Sequence, residues 1–361
     1  MTTIATPTIQ PSRSLLRSPS DQRDSYLTIG LTGIIGAICR LIENRGGFAF
    51  LTSSMLVPSQ YKCPNAEKSE EIINQAVRSN PASIEILDLP HYGGNSLKCV
   101  IYYPKNFNRK DHSRCIIYNN PNCATVAKFI ENGKLISTPA KLLELVKCPV
   151  IMYDYRGTGL NSSGSQTNRF FKYRPTTTSI VTDGHRILDH ALQNYKKVTT
   201  VGSSLGGAVA TAALMKATFC KPPLDRDRVQ LISHDSFTAT TSVIMPKWPK
   251  IASWVGWTIG ALLDATDPMK TLIEHGYRVT VLNHQNDPVI PRGAQMADFI
   301  SNLPKTENVS VFTSPEHGHA YLSKDMMQEL AGIFKKYFTP NTTQRTNPIL
   351  NILTFCVHLF Y

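Results

Sequence analysis

None of the eight cysteines stands in a CxxC pair, and no Cys/His set has zinc-type spacing. That excludes the common structural zinc sites, and a disulfide framework is not expected in a chain of 361 residues. Cys115 in "RCIIY" and Cys148 in "KCPVIMY" sit inside apolar runs instead, where buried free thiols belong. The basic residues are scattered and lack the aromatic interleaving of RNA-binding motifs, so no nucleic-acid partner is expected. Long apolar runs are missing too. A bilayer span needs about 20 apolar residues, and "YLTIGLTGIIGAIC" is shorter. It reads as a docking helix, an interfacial helix or an uncleaved export signal. The apolar C-terminal stretch "NPILNILTFCVHLFY" is equally open, and for both, packing against the protein is preferred to membrane contact. No cleavable signal peptide is evident. Residues 1–25, rich in Ser, Thr, Pro and Arg, are expected to be disordered.

Acidic residues are also in short supply. Asp and Glu number 26 against 38 Lys and Arg, for a formal net charge of +12. Such a balance favours anionic partners, here acidic lipid head groups or an acidic substrate. The reading allows a cytoplasmic or a peripherally membrane-associated protein.

What is present is a chain 42% hydrophobic, enough for one large α/β domain with extensions. Eight strand-like segments follow in order: "ASIEILDL", "SLKCVIYYP", "RCIIYNN", "CPVIMYDYRG", "KKVTTVGSS", "VQLISHDSF", "RVTVLNHQND" and "NVSVFTSPE". The first two are joined by the hairpin-type turn "PHYGGN". Later ones alternate with helical periods, including the whole of 124–147. A hairpin followed by β/α alternation predicts a mostly parallel eight-stranded sheet with helices on both faces. Residues 81–339 form that domain, preceded by the segment 1–25 and a helical extension over 26–80, and followed by an apolar tail over 340–361. The stretch 238–276 is longer than a crossover needs and carries all three tryptophans, Trp248, Trp254 and Trp257. It reads as a helical cap between the sixth and seventh strands.

"GSSLG" over 202–206 matches G-x-S-x-G with Ser204 at its centre. A sharp strand-to-helix turn brings neighbouring backbones together, so its flanking side chains must be small. Ser204 would then stand at a helix N-terminus, where free N–H groups favour developing negative charge. A plain tight turn is the competing explanation of the pentapeptide, and its place between an apolar strand and a Gly/Ala-rich helix favours the nucleophile. A serine nucleophile needs a base, and the base an orienting acid. Asp287 follows the seventh strand, although an Asp before Pro is also a common turn residue. Beyond the eighth strand stand His317 and His319. The chain order is Ser…Asp…His. His234 and Asp235 end the sixth strand. His234 reads as a structural histidine, and Asp235 is the fallback acid.

These residues resemble the α/β-hydrolase superfamily over about 82–338. The resemblance rests on "GSSLG", on "YDYRGTGLNSSG" after the fourth strand, on "NDPVIP" after the seventh and on "HGHAY" after the eighth. More narrowly, "YNNPNCATVAKF" with the N-terminal extension resembles the chlamydial CHLPS-type hydrolase-like proteins of intracellular bacteria, which implies a bacterial protein with a place among secreted effectors. The superfamily resemblance implies a serine esterase or lipase-like enzyme acting on an acyl ester or lipid-like small molecule, with no cofactor and no metal. It assigns His319 as the base, with His317 as the alternative. It also implies an oxyanion hole from the Leu205 N–H and a donor after the third strand. There the chain departs from the family. "NNPNC" replaces the His-Gly of many members, and Pro121 has no N–H to give. The second donor falls to Asn122 or Cys123, with an amide side chain of Asn120 or Asn122 as substitute. A binding protein on this fold with weak or no activity is the alternative function.

Overall fold

All eight strand segments appear in a single sheet. The computed structural model describes residues 66–90, 96–122, 124–162, 175–219, 224–244 and 262–338. The three tryptophans, Cys123 and both apolar terminal stretches lie outside them. The strands are β1 (Ile84–Pro90), β2 (Ser96–Tyr102), β3 (Arg114–Asn119), β4 (Val150–Tyr153), β5 (Lys197–Ser203), β6 (Val229–His234), β7 (Arg278–Asn286) and β8 (Val309–His317). Their order is β1-β2-β4-β3-β5-β6-β7-β8. β2 pairs antiparallel with both β1 and β4, and every pair from β4 to β8 is parallel.

The helices are α1 (Ala66–Ser79), α2 (Ser137–Val146), α3 (Thr177–Asn194), α4 (Leu205–Thr218), α5 (Thr240–Ile244), α6 (Thr266–Glu274), α7 (Met296–Ser301) and α8 (Lys324–Phe338). Two apolar layers sandwich the sheet. On one face Ile117, Ile151, Val198, Leu231 and Val279 pack with residues of α3, α4, α6 and α7. On the other Ile116, Val150, Met152 and Ile232 pack with residues of α1, α2 and α8. Strands buried on both faces explain the continuous apolar runs of β3 and β4. Cys99, Cys115 and Cys148 are free thiols inside these layers. Burial pushes the Cys99 and Cys148 thiols up to about 12, which makes them inert filling.

Two differences from the sequence reading have clear causes. The helical period over 124–147 is broken. A 3-10 turn at Val126–Phe129 leads into a two-stranded hairpin, Ile130–Glu131 with Lys134–Leu135, and α2 starts only at Ser137. Asn132 and Gly133 supply the left-handed φ values of +50° and +73° that a two-residue hairpin turn requires. In addition, His317 is the last residue of β8 rather than part of the loop beyond it.

Candidate active site

The crossover from β5 to α4 is the centre of the site. Its close packing follows from the glycines. A Cβ on Gly202 would run into the Gly206 carbonyl, and one on Gly206 into the carbonyl of Asn119 at the end of β3. With both absent, the chain turns sharply and Ser204 is held at φ +54° and ψ −121°, a region L residues rarely enter. Ser204 is the N-cap of α4 and gives it no side-chain hydrogen bond, so its hydroxyl is not spent on capping. The Leu205 N–H stands in the first turn of α4, where no helical carbonyl lies behind it. β3, β5, β6, β7 and β8 run parallel, so their C-terminal ends meet around this elbow.

The chain has the α/β-hydrolase fold. A mostly parallel eight-stranded sheet with helices on both faces, and a G-x-S-x-G elbow between the fifth strand and a buried helix, define it.

The turn after β7 carries Asp287. Its Oδ1 accepts the N–H groups of Val289 and Ile290 at 2.7 and 2.9 Å, the Asx-type turn that "NDPVI" promises. Its Oδ2 lies 2.7 Å from Nδ1 of His319. A carboxylate only accepts, so this contact assigns the proton to Nδ1 and leaves Nε2 of His319 as the acceptor. A Cβ on Gly318 beside it would meet the exposed ring of Tyr321, which would have to shift. His317 is exposed, and among the described residues no hydrogen bond to its ring is found. The structure thus brings Asp287 together with His319 and not with His317.

The tripeptide His234–Ser236, at the end of β6, touches both halves of the site. The Ser204 N–H donates to the His234 carbonyl at 2.9 Å, and the Ser236 hydroxyl donates to the Ser204 carbonyl at 3.1 Å. Between them, Asp235 Oδ2 accepts the Ala320 N–H at 2.8 Å, one residue past His319. Asp235 is fully buried and also accepts the N–H and Nδ1 of His284, both at 2.8 Å. His234 Nε2 lies 3.1 Å from the same carboxylate, and its Nδ1 lies 3.0 Å from the Ser203 hydroxyl. Burial alone would raise the Asp235 carboxyl, but His234 and His284 outweigh it and hold it far below the usual carboxylate range. The cluster His234, Asp235 and His284 has ligand-like spacing, with atoms within 4.8 Å of one another. Direct hydrogen bonding explains that spacing: the Asp235 oxygen and His284 Nδ1 that a cation would need already face each other. Sequence reasoning singled out His234 and Asp235 but missed His284, which sits inside an apolar strand with no neighbouring motif.

Ser203, His234 and Asp235 make a second Ser–His–Asp set without exposed surface, but His234 Nε2 has no hydrogen-bond partner among the described residues, so the set is not a hydrogen-bonded relay. Its serine also accepts the Tyr118 hydroxyl at 3.2 Å, which makes it part of the sheet interior.

The loop after β3 is anchored from within. Asn119 donates to Thr200 Oγ1 and to the Val201 carbonyl, both at 3.0 Å, and accepts the Tyr153 hydroxyl at 2.6 Å. Asn120 Nδ2 donates to the Tyr153 carbonyl at 2.8 Å and to Asp154 at 3.3 Å. The Asn120 amide is therefore turned into the protein, away from the role of substitute oxyanion donor. Asn122 occupies the turn beyond Pro121 and is half-buried. Asp154 holds this loop to the one after β4, accepting the N–H groups of Val126 and Leu160 at 2.7 and 2.9 Å. Burial raises its carboxyl to about 6 against those hydrogen bonds.

No family model matches the chain, and no curated protein matches it; the narrower chlamydial resemblance rests on the residues quoted for it alone. Among solved structures, the chain is similar to an esterase from Pyrococcus furiosus, at 12% identity over 72% of this chain and 92% of that one, with a TM-score of 0.49. It is also similar to a hyperthermophilic esterase from the archaeon Pyrobaculum calidifontis, at 15% identity over 76% of this chain and 90% of that one, with a TM-score of 0.45.

Proposed function

We propose that this protein is a serine hydrolase of carboxylic esters or thioesters, with Ser204 as nucleophile, His319 as base and Asp287 as the orienting acid. The observation that carries the reading is the 2.7 Å His319–Asp287 contact at strand ends that flank the strained Ser204 elbow. In the proposed reaction Ser204 Oγ attacks the carbonyl carbon as His319 Nε2 takes its proton. The tetrahedral oxyanion is held by the Leu205 N–H, with Asn122 as the second donor. The His319 imidazolium, stabilised by Asp287, returns the proton to the leaving alcohol or thiol, leaving an acyl-enzyme. Water, activated by the same histidine, cleaves it and restores Ser204. Every step is served by protein groups.

The substrate side is supported by sequence only. An apolar cap bearing Trp248, Trp254 and Trp257, with Lys247 and Lys250 beside them, suits an acyl chain or lipid-like ester presented at an anionic surface. Among the described residues no helix is long and apolar enough to cross a membrane.

One observation favours a second reading, a weak or inactive hydrolase-like binding protein. The β3 loop offers Pro121 where an N–H donor is wanted, and one missing oxyanion donor typically costs on the order of a hundred-fold in rate or more. Hydrolysis of p-nitrophenyl esters of rising chain length, with and without anionic vesicles, separates the two. Turnover that disappears in Ser204→Ala supports the enzyme. Vesicle binding without turnover in the wild type supports the alternative.

A further inference from the structure

Three residues other than glycine around the site sit in the left-handed region: Ser204 at φ +54°, Asp235 at +44° and Ala320 at +59°. Such conformations persist only where their surroundings hold them. Here they are tied to one another. The Ser204 N–H is held by the carbonyl of His234, and the Ala320 N–H by the carboxylate of Asp235. The Asp235 carboxylate is buried, and its near partners are two histidines and backbone N–H groups. Its position shows what it faces: one atom each of Asp235, Asp287 and the His319 ring lie within 4.8 Å of one another.

We infer that Asp235 is a positioning residue for the base. It fixes the His319 loop through the Ala320 N–H and sets a second carboxylate within 4.8 Å of the ring nitrogen, beside Asp287. The inference rests on the proposed role of His319. The other titratable groups near this imidazole are His284 on β7, His234 on β6, Glu316 and His317 on β8, and Tyr321, whose ring lies 4.7 Å from that of His284 and whose hydroxyl bonds Glu316 at 3.1 Å. None of these supplies a carboxylate bonded to the residue after His319, as Asp235 does.

The test reads the His319 ring directly by NMR titration of the full chain, in wild type, Asp235→Asn, Asp287→Asn and the double variant. This readout does not depend on turnover. Removing a nearby anion lowers the midpoint of a histidine. Asp235→Asn is expected to lower it, and the double variant to fall below Asp287→Asn. An unchanged midpoint in a folded Asp235→Asn protein overturns the inference. Should that variant fail to fold, amide exchange of Ala320 in the wild type decides. Slow exchange is expected of an N–H held by a buried carboxylate, and exchange at the rate of a free loop amide overturns it. Fluorophosphonate labelling of the same wild-type sample keeps the two questions apart. Labelling at Ser204 without a shift in Asp235→Asn rejects this inference and leaves the hydrolase standing. A shift without labelling rejects the hydrolase and leaves the Asp235–His319 coupling standing.

Discussion

Nδ1 of His319 lies 2.7 Å from Oδ2 of Asp287, a carboxylate whose side chain has no exposed surface. The other oxygen of the same carboxylate is held by two backbone N–H groups, so neither residue needs an induced movement to make the pair. A rigid acceptor of this kind fixes the tautomer and the orientation of the ring at once.

Asp287→Asn should keep the fold, because the amide oxygen can still accept from Val289 and Ile290. It removes the charge beside His319 and presents an N–H where an acceptor was. Acylation, read as the rate of fluorophosphonate labelling, should fall by roughly a thousand- to ten-thousand-fold.

His319→Ala should strongly slow both labelling and turnover. His317→Ala should change kcat/KM by less than about two-fold, since its exposed ring has no partner among the described residues. Parallel assays of the two purified variants check this. The reverse pattern would move the base by two residues.

Gly206→Ala places a methyl group against the Asn119 carbonyl, which belongs to β3 and cannot step aside cheaply. The elbow and the β3 loop must then separate. A stability loss on the order of 1–3 kcal/mol in chemical unfolding, with loss of labelling, is expected.

Asp154 gives a prediction about pH. Its carboxyl is raised by burial from 3.8 to about 6, so between those values the folded chain holds a proton that the unfolded chain releases. Its contribution to stability is therefore complete below about pH 4 and is lost as pH rises through about 6. The span is worth on the order of 3 kcal/mol. Unfolding midpoints of wild type and Asp154→Asn, compared at several values between pH 4 and 7, should show the wild type losing stability relative to the variant as pH rises.

The middle of the sheet was legible because β3 and β4 are buried on both faces, which gives continuous apolar runs such as "CIIY" and "PVIMY". The elbow was legible because close backbone approach demands glycine at fixed offsets. The hairpin at 130–135 was not read, although Asn132-Gly133 is a strong turn signal, because the flanking residues also fit a helical period. The inward turn of Asn119 and Asn120 depends on Tyr153, Asp154 and Thr200, which are distant in sequence. The grip of Asp235 on the His319 loop spans 85 residues between its partners, beyond any local pattern.

The central claim is that Ser204 is an activated nucleophile. Its most direct test is mass spectrometry of the protein after treatment with a fluorophosphonate. The account predicts one adduct on the peptide that contains Ser204, absent in Ser204→Ala and strongly slowed in His319→Ala. An unlabelled wild-type protein, or an adduct that persists in Ser204→Ala, would contradict it.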